Sequence, residues 1–430
     1  MTHAYAAVPE LKLLKAKDGK GKTATVTMGA YLKVLDDSDN DGWLKVRSFG
    51  KEGWVHRNDT AKKNQFLKIF FVDVGQGDGI LIEVPGKRLI VDGGKTASRM
   101  RNFLTGSKYK WLVAKKDPIH IDAIVVTHFD EDHYGGLTAI IADKRFTIGT
   151  IYHNGIARFQ RTKAKRPSEY NKPIGKTGYY FDAKGEKHTS LKSSFSTIAD
   201  ADKLLKNKAG LASYFAKFLT AVVNAKKQDR LKAMRRITSR DSQLPGFGEK
   251  SDLTVDVLGP APLLSSGTVA YPYLEDDGHT INGHSVVLRL RYGTRSFLLG
   301  GDLNHLAQDY LLTVWHAQSF ESDVAKACHH GASEFTLDFM KAVKPYATVF
   351  SSGDSESHFH PRADALGCAG RYSRGRRPLV FCTELARSQV KGKGTHYGMI
   401  NCRCDGSTIA FAQMLEIRRA GDRWDVYGIK

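Results

Sequence analysis

Four side chains able to hold a metal fall within six positions of the segment IDAIVVTHFDEDHYGGL: His128, Asp130, Asp132 and His133. The apolar run Ile121 to Val126 reads as a buried strand that delivers them into one tight turn. Gly135 and Gly136 then let the next helix approach closely. Burying such groups at a strand end is costly unless something binds them. Alternate positions on an extended turn set His128 and Asp130 to one side, while Asp132 and His133 face a second position. That arrangement suits two metal ions roughly 3.5–4 Å apart that share a water. The plainer reading, an acidic helix start beside a chance histidine pair, leaves the spacing unexplained.

Three further segments supply what such a site lacks. SFLLGGDL puts Asp302 at the end of another apolar strand, where its carboxylate could bridge two metals. INGHSVVLRL puts His284 just ahead of the preceding strand, and KACHHGASEF puts His329 and His330 before a glycine. Taken singly, Asp302 could cap a helix and His284 could be structural. The pair His329-His330 points more firmly to ligation or catalysis.

The elements that must carry these residues are legible around them. Two dense β-runs, FLKIFFVDVGQGDGILIEV and RLIVDGG, each close on a glycine turn, and strand patterns then alternate with helical ones, as in a layered α/β domain. Residues 1–62 read instead as a small β-unit, with short runs (TATVTM, YLKVLD, WLKVRSF, GWVHR) separated by turn clusters. Its Gly42-Trp43 and Gly53-Trp54 pairs set aromatic residues just after turns. Runs at LVFCTEL, GMINCRC, STIAFAQML and WDVYGIK are expected to close the main sheet, with Cys402 and Cys404 as packed thiols.

Composition bounds the partners. In 430 residues, 65 Lys and Arg against 45 Asp and Glu leave a net charge of +20, which favours a polyanionic partner. The hydrophobic share of 41% excludes a wholly disordered chain. No apolar run approaches the roughly 18 residues of a membrane helix, and the N-terminus lacks an apolar signal core. Five cysteines, an odd number without a CxxC pair, fit a reducing, cytoplasmic setting with no membrane partner. The basicity is concentrated: residues 156–250 hold 22 Lys and Arg against 8 Asp and Glu, +14 of the total. Apolar residues at helical spacing there predict two helices inserted into the α/β domain. Lys163, Lys165, Arg166, Arg235 and Arg236 are candidate phosphate contacts, and Tyr179, Tyr180 and Phe181 could stack on bases. A solvated basic face is the alternative for each.

With these motifs in order, the chain resembles the metallo-β-lactamase superfamily, and within it the soluble domain of the ComEC-type branch associated with DNA uptake. The motifs are Val74-Gly75-Gln76-Gly77-Asp78, Val91-Asp92-Gly93-Gly94, His128 to His133, Gly301-Asp302, His329-His330-Gly331 and His360-Pro361, spread over about residues 66–370. The N-terminal unit resembles a bacterial Src-homology-3-like barrel, a module that binds a ligand or a protein neighbour. The resemblance implies an αββα four-layer sandwich over residues 66–430, with a basic, partly helical insertion at about 156–250, behind an all-β barrel at 1–62. Two departures stand out. Asp130 replaces the second histidine of the superfamily signature, which moves preference from zinc toward manganese or magnesium. His284 stands where the branch tends to carry asparagine, and could restore a fuller first metal site. Without a stretch resembling the transmembrane competence region of that branch, a role as the uptake channel itself is not expected.

The resemblance further implies hydrolysis by a metal-activated hydroxide. The first of two divalent ions, manganese or zinc (magnesium also fits), would take His128, Asp130 and His284. The second would take Asp132, His133 and His330, with Asp302 bridging. His329 would be left to donate to a developing oxyanion, although which of His329 and His330 ligates stays open. His360 is expected to contact substrate phosphate or donate a proton, with His358 as a substitute. Asp92 and Asp78 are expected to orient rather than ligate. Together with the basic insertion, this predicts a metal-dependent phosphodiesterase, foremost a nuclease acting on DNA. A phosphodiesterase for a small nucleotide or other phosphoester is one alternative; a nucleic-acid-binding module with a vestigial metal site is another.

Overall fold

The computed structural model describes residues 2–38, 41–263, 268–353, 358–383, 399–415 and 423–429. Period-2 runs of branched and aromatic residues build two sheets that face each other. In the first, the strands Lys87–Gly93, Ile119–Val126, Phe146–His153 and Leu231–Arg236 lie side by side in parallel. Gly79–Val84, Leu67–Val72, Met399–Cys404, Ile409–Leu415 and Arg423–Ile429 continue that sheet antiparallel. The second runs in the order Thr254–Gly259, Val287–Tyr292, Arg295–Leu299, Val324–Lys326, Ala347–Phe350, Leu379–Cys382, and its last four strands are parallel.

Side-chain alternation decides which layer each residue enters. Ile80, Ile82, Leu89, Val91 and Val125 meet Val257, Leu288, Phe297 and Leu299 in the seam between the sheets. Cys402 and Cys404 are buried in that seam, as free thiols. Leu81, Ile90 and Ile124 point outward, under Leu137 and Ile140 of the helix Glu131–Ala142 and Phe215, Phe218 and Val222 of the helix Ser213–Lys227. Beyond the second sheet, Val287 and Leu298 pack on Ala307, Leu311, Phe339 and Val343 of two further helices. The order is helix, sheet, sheet, helix, the αββα sandwich. The carboxyl ends of the parallel strands open at one edge, where layered α/β folds place their sites.

The two predicted helices within 156–250 are present, as Ile198–Leu205 and Ser213–Lys227. The second is an integral layer rather than an appendage, because Phe215, Phe218, Leu219 and Val222 recur at helical spacing and are all buried. The strand Leu231–Arg236 likewise joins the edge of the main sheet. What projects is a hairpin, Lys176–Phe181 with Lys187–Lys192, widened by Ala270–Pro272.

Seven short strands form the N-terminal all-β unit around Leu11, Leu13, Leu32, Leu44, Val46 and Val55. Met28 meets Phe66 and Ala410 where this unit abuts the main domain. Among the described residues no helix is long and apolar enough to cross a membrane.

Candidate metal centre

The turn after Ile119–Val126 is clamped by Asp92, which accepts from the Thr127 backbone N–H at 2.9 Å and from the Thr127 hydroxyl at 2.6 Å. Asp92 sits in the left-handed region (φ 55°), at the end of its own strand. The helix that follows, Glu131–Ala142, starts hard against the two glycine turns. A Cβ on Gly136 would lie 2.0 Å from the Gly93 carbonyl, and one on Gly77 1.8 Å from the Asp132 carbonyl. Only glycine permits that approach, and it holds Asp132 and His133 in place.

Asp132, His133, Asp302 and His330 converge: each offers a ligand atom, all within 4.8 Å of one another. Asp302 Oδ2 lies 3.1 Å from both His133 Nε2 and His330 Nε2, and Asp132 Oδ2 lies 3.4 Å from His330 Nε2. The far nitrogens are anchored. His133 Nδ1 meets Asp92 Oδ2 at 2.8 Å, and His330 Nδ1 donates to the Ser351 carbonyl at 3.0 Å. His329 and His330 both adopt positive φ, 46° and 54°. Backbone in that region costs about 1–3 kcal/mol per residue and persists where the surroundings enforce it.

His128 is fully buried beside this cluster, its ring 4.1 Å from that of His133. Its Nδ1 faces the hydroxyls of Thr127 (3.1 Å) and Ser285 (3.3 Å), while Nε2 has no hydrogen-bond partner. Asp130 Oδ2 stands 3.9 Å from that nitrogen, but Asp130 Oδ1 accepts from Arg158 at 2.6 Å. Two imidazoles and two carboxylates pointing at one spot, with an orphaned nitrogen alongside, fit a divalent cation of borderline softness.

His284 departs from expectation. It is buried, but its Nε2 donates to the Pro272 carbonyl at 2.6 Å and its ring stacks on Tyr271, so it is not gathered among the donors. The neighbouring Ser285 faces His128 instead. Of the histidine pair, His330 joins the cluster. His329 Nε2 stands 3.8 Å from Asp302, with Nδ1 3.3 Å from Glu334 and the side chain partly exposed. His360 lies beside them, ring centroids 5.7 Å from His329 and also 5.7 Å from His358. Burial, then the neighbouring His330, His329 and His358, push His360 down to about 4. That leaves an uncharged imidazole at neutral pH, which can offer one N–H as a hydrogen-bond donor.

Lys326 and Arg158 both escaped the sequence reading. Lys326 is completely buried, its Nζ 2.5 Å from Asp78 Oδ2 and 3.6 Å from Asp302 Oδ1, donating also to the Gly301 carbonyl at 3.0 Å. The available signal was a lysine closing a short apolar strand, since lysines are almost never fully buried unpaired. Burial alone would lower His133 and His330, but Asp302 and the neighbouring carboxylates outweigh it and hold both well above the usual range. Burial would raise Asp302 and Asp132, but His133 and His330 hold both below theirs. His128 is pushed the other way, to about 4, by burial and then by His133.

The basic candidates divide. Lys163 and Lys165 are exposed on a short turn. Arg166 donates to the carbonyls of Gln160, Arg161 and Asn171, Arg235 pairs with Asp241, and Arg236 donates to Ser193. Tyr179 and Phe181 are 69% and 68% exposed on one face of the hairpin, with Lys187 Nζ 4.0 Å over the Tyr179 ring. Tyr180 points to the other face, half-buried.

Residues 72–198 match the metallo-beta-lactamase superfamily, and residues 15–61 the bacterial SH3 domain. The chain is 23% identical over 320 residues to ComE operon protein 3 of Bacillus subtilis (strain 168), a match that takes in 71% of this chain. It spans only 31% of the length of that relative. A solved structure of the metallo-beta-lactamase fold protein YhfI of Bacillus subtilis aligns over 74% of this chain and 97% of its own, at 13% identity and a TM-score of 0.37. The likeness to the metallo-beta-lactamase superfamily thus falls on the segment that carries Asp78, Asp92 and His128 to His133, and the likeness to the bacterial SH3 domain on the all-β unit ahead of it.

Proposed function

We propose that this chain is a metal-dependent phosphodiesterase that cleaves nucleic acid, DNA foremost. The observation that carries the reading is the 2.6 Å pairing of Asp130, at the edge of the donor cluster, with Arg158 of the basic segment. The segment holding most of the chain's net charge thereby borders the centre, where a phosphate backbone would have to lie. Exposed Lys163 and Lys165 would contact phosphates, and Tyr179 and Phe181 offer stacking faces.

Asp132, His133, His330 and Asp302 would hold the cation, and Asp92 and Ser351 orient the two imidazoles. Bound there, a divalent ion supplies Lewis acidity and a water acidified toward neutrality. His329, partly exposed and tethered by Glu334, would donate a hydrogen bond to the oxygen on which charge develops. His360, neutral at pH 7, would bind a phosphate oxygen through its N–H. Lys326 fixes Asp302 from behind. The SH3 domain, with Tyr31 and Phe49 exposed, would bind a ligand or protein partner.

The test incubates the protein with plasmid, single-stranded DNA, RNA and bis-p-nitrophenyl phosphate, with manganese or zinc, beside Asp132→Ala. Cleavage of a nucleic acid by wild type and not by the variant is expected. Turnover of the small ester alone would defeat the nuclease reading, and retention of nucleic acid without turnover would favour a binding module.

A further inference from the structure

We infer that the cleft beneath the projecting hairpin takes one unstacked guanine base of a bound single strand, stacking it on aromatic rings and reading its Watson–Crick edge with Glu275. This rests on the nucleic-acid reading above and adds the base that the protein selects. The cleft has a volume of about 630 Å³, within the roughly 300–1,000 Å³ of small-molecule sites. Tyr180, His188 and Tyr273 line it, together with Pro272, Leu274 and Leu306. Tyr180 and His188 are register partners in the hairpin, with ring centroids 5.4 Å apart, and alternation sets them on the face away from Tyr179 and Phe181. Tyr273 is fixed at both ends: its N–H donates to the Thr189 carbonyl at 3.0 Å and its hydroxyl to Asp277 at 2.7 Å. Rings held in this way form a platform for a planar base.

Stacking is indifferent to the base, so selection falls to a polar group of the lining. Glu275 lines the cleft, and among the described residues its carboxylate has no hydrogen-bond or ion-pair partner. Its backbone lies in the left-handed region (φ 53°), which is uncommon outside glycine. Its neighbours enforce this. The Leu274 N–H donates to the Thr280 hydroxyl at 2.9 Å, and Asp276 caps the helix Asp277–Gly283 through the His279 N–H at 2.8 Å. Strain of this kind gathers at ligand clamps. A carboxylate can accept two parallel N–H bonds. Guanine alone sets two donors side by side on its Watson–Crick edge, N1–H and the N2 amino group. Adenine and cytosine put a ring lone pair beside their amino group, and thymine flanks its one N–H with carbonyls. The cleft also shares a wall with the metal centre. The carbonyl of Pro272 accepts from His284 Nε2 at 2.6 Å, and the next residue, Ser285, faces His128 Nδ1 at 3.3 Å. A base held on one side of that wall stands beside a phosphate held on the other.

The experiment strips the full-length protein with a chelator, so that nothing is cleaved, and measures binding by fluorescence anisotropy. The probes are labelled thymine pentanucleotides whose central base is guanine, adenine, cytosine or thymine. The guanine strand is expected to bind about 10-fold or more tightly than the other three, the scale of a bidentate contact to a base edge. Glu275→Gln, which offers one acceptor and one donor in place of two acceptors, should erase that preference. Tyr180→Ala should weaken all four strands together, by about 10-fold. Equal affinity for the four strands, or a guanine preference that Glu275→Gln leaves intact, overturns the inference while the nucleic-acid reading stands. Guanosine monophosphate and adenosine monophosphate, titrated in parallel, separate the two claims. Selective binding of the guanine nucleotide with no binding of any strand overturns the strand as the source and upholds the base assignment. If neither strand nor nucleotide binds, both readings fall.

Discussion

Asp92 Oδ2 lies 2.8 Å from His133 Nδ1, and that contact aims His133 Nε2 at Asp302 Oδ2, 3.1 Å away. The carboxylate fixes both the tautomer and the ring orientation of a candidate ligand. Asp92→Asn keeps the shape and tolerates the left-handed backbone at φ 55°, but loses the charge. Metal affinity should fall about 10- to 100-fold with little change in fold. Equilibrium dialysis measures it, and an unchanged constant would remove Asp92 from the positioning role.

Lys326 and Asp78 form a buried ion pair, and losing one member strands the other. Lys326→Met should destabilise the metal-free protein by about 3–5 kcal/mol. The double variant Lys326→Met with Asp78→Asn should recover part of that, because no buried charge is left alone. Urea unfolding compares them, and a double variant as unstable as the sum of the two singles would sink this account.

Gly77 and Gly86 both have positive φ, 111° and 77°, yet differ in surroundings. A Cβ at Gly77 would strike the Asp132 carbonyl at 1.8 Å, whereas at Gly86 nothing lies within 4 Å. Gly86→Ala should cost only the backbone penalty, about 1 kcal/mol. Gly77→Ala should cost more and also weaken metal binding, because the start of the Glu131 helix must shift. Equal losses in thermal unfolding would mean that the close approach is unimportant.

His153 and His284 are fully buried, and burial holds them at about 3 and about 4. In the unfolded chain both titrate near 6.5. Unfolding therefore takes up protons below that value. The stability that the neutral rings contribute is complete above pH 6.5 and is lost as pH falls toward about 4 for His284 and about 3 for His153. Each contributes a slope of about 1.4 kcal/mol per pH unit in its window. His153 accepts from the Gly155 N–H at 3.0 Å and can donate to the Ser196 carbonyl at 3.2 Å, an arrangement only the neutral ring satisfies. His153→Gln should flatten the profile between pH 6 and 4 by about one such slope; an unaltered profile would contradict it.

Tyr179 and Phe181 should serve binding and not bond cleavage. Replacing both with alanine is expected to weaken nucleic-acid binding by about 1–3 kcal/mol per stacked base. Turnover of bis-p-nitrophenyl phosphate should stay at the wild-type rate. Fluorescence anisotropy beside the ester assay reads both, and unaltered binding would exclude the hairpin as a stacking platform.

The donors legible in the sequence were those whose meaning is local. Six consecutive positions after an apolar strand define a turn whatever the rest of the chain does, so His128 to His133 could be read together, and the strand-ending Asp302 and the His329-His330 pair followed the same logic. The glycines around them were legible too, because close backbone approach leaves glycine as the only residue that fits. His284 misled because its place ahead of a strand says nothing of which way the ring turns. That was settled by the Pro272 carbonyl and the Tyr271 ring, supplied by the strand Ala270–Pro272 that pairs with the projecting hairpin.

Residue types and spacing thus indicated a layered α/β domain and which side chains were candidate donors, and the superfamily resemblance that rests on those motifs added the αββα order. Tertiary structure alone decided which donors meet: that His330 rather than His329 closes the cluster, that Lys326 lies inside it, and that Arg158 holds Asp130. Each of these is a distance of a few ångströms between side chains 24 to nearly 200 positions apart. Such distances depend on how two sheets and their covering helices pack, which no local spacing encodes.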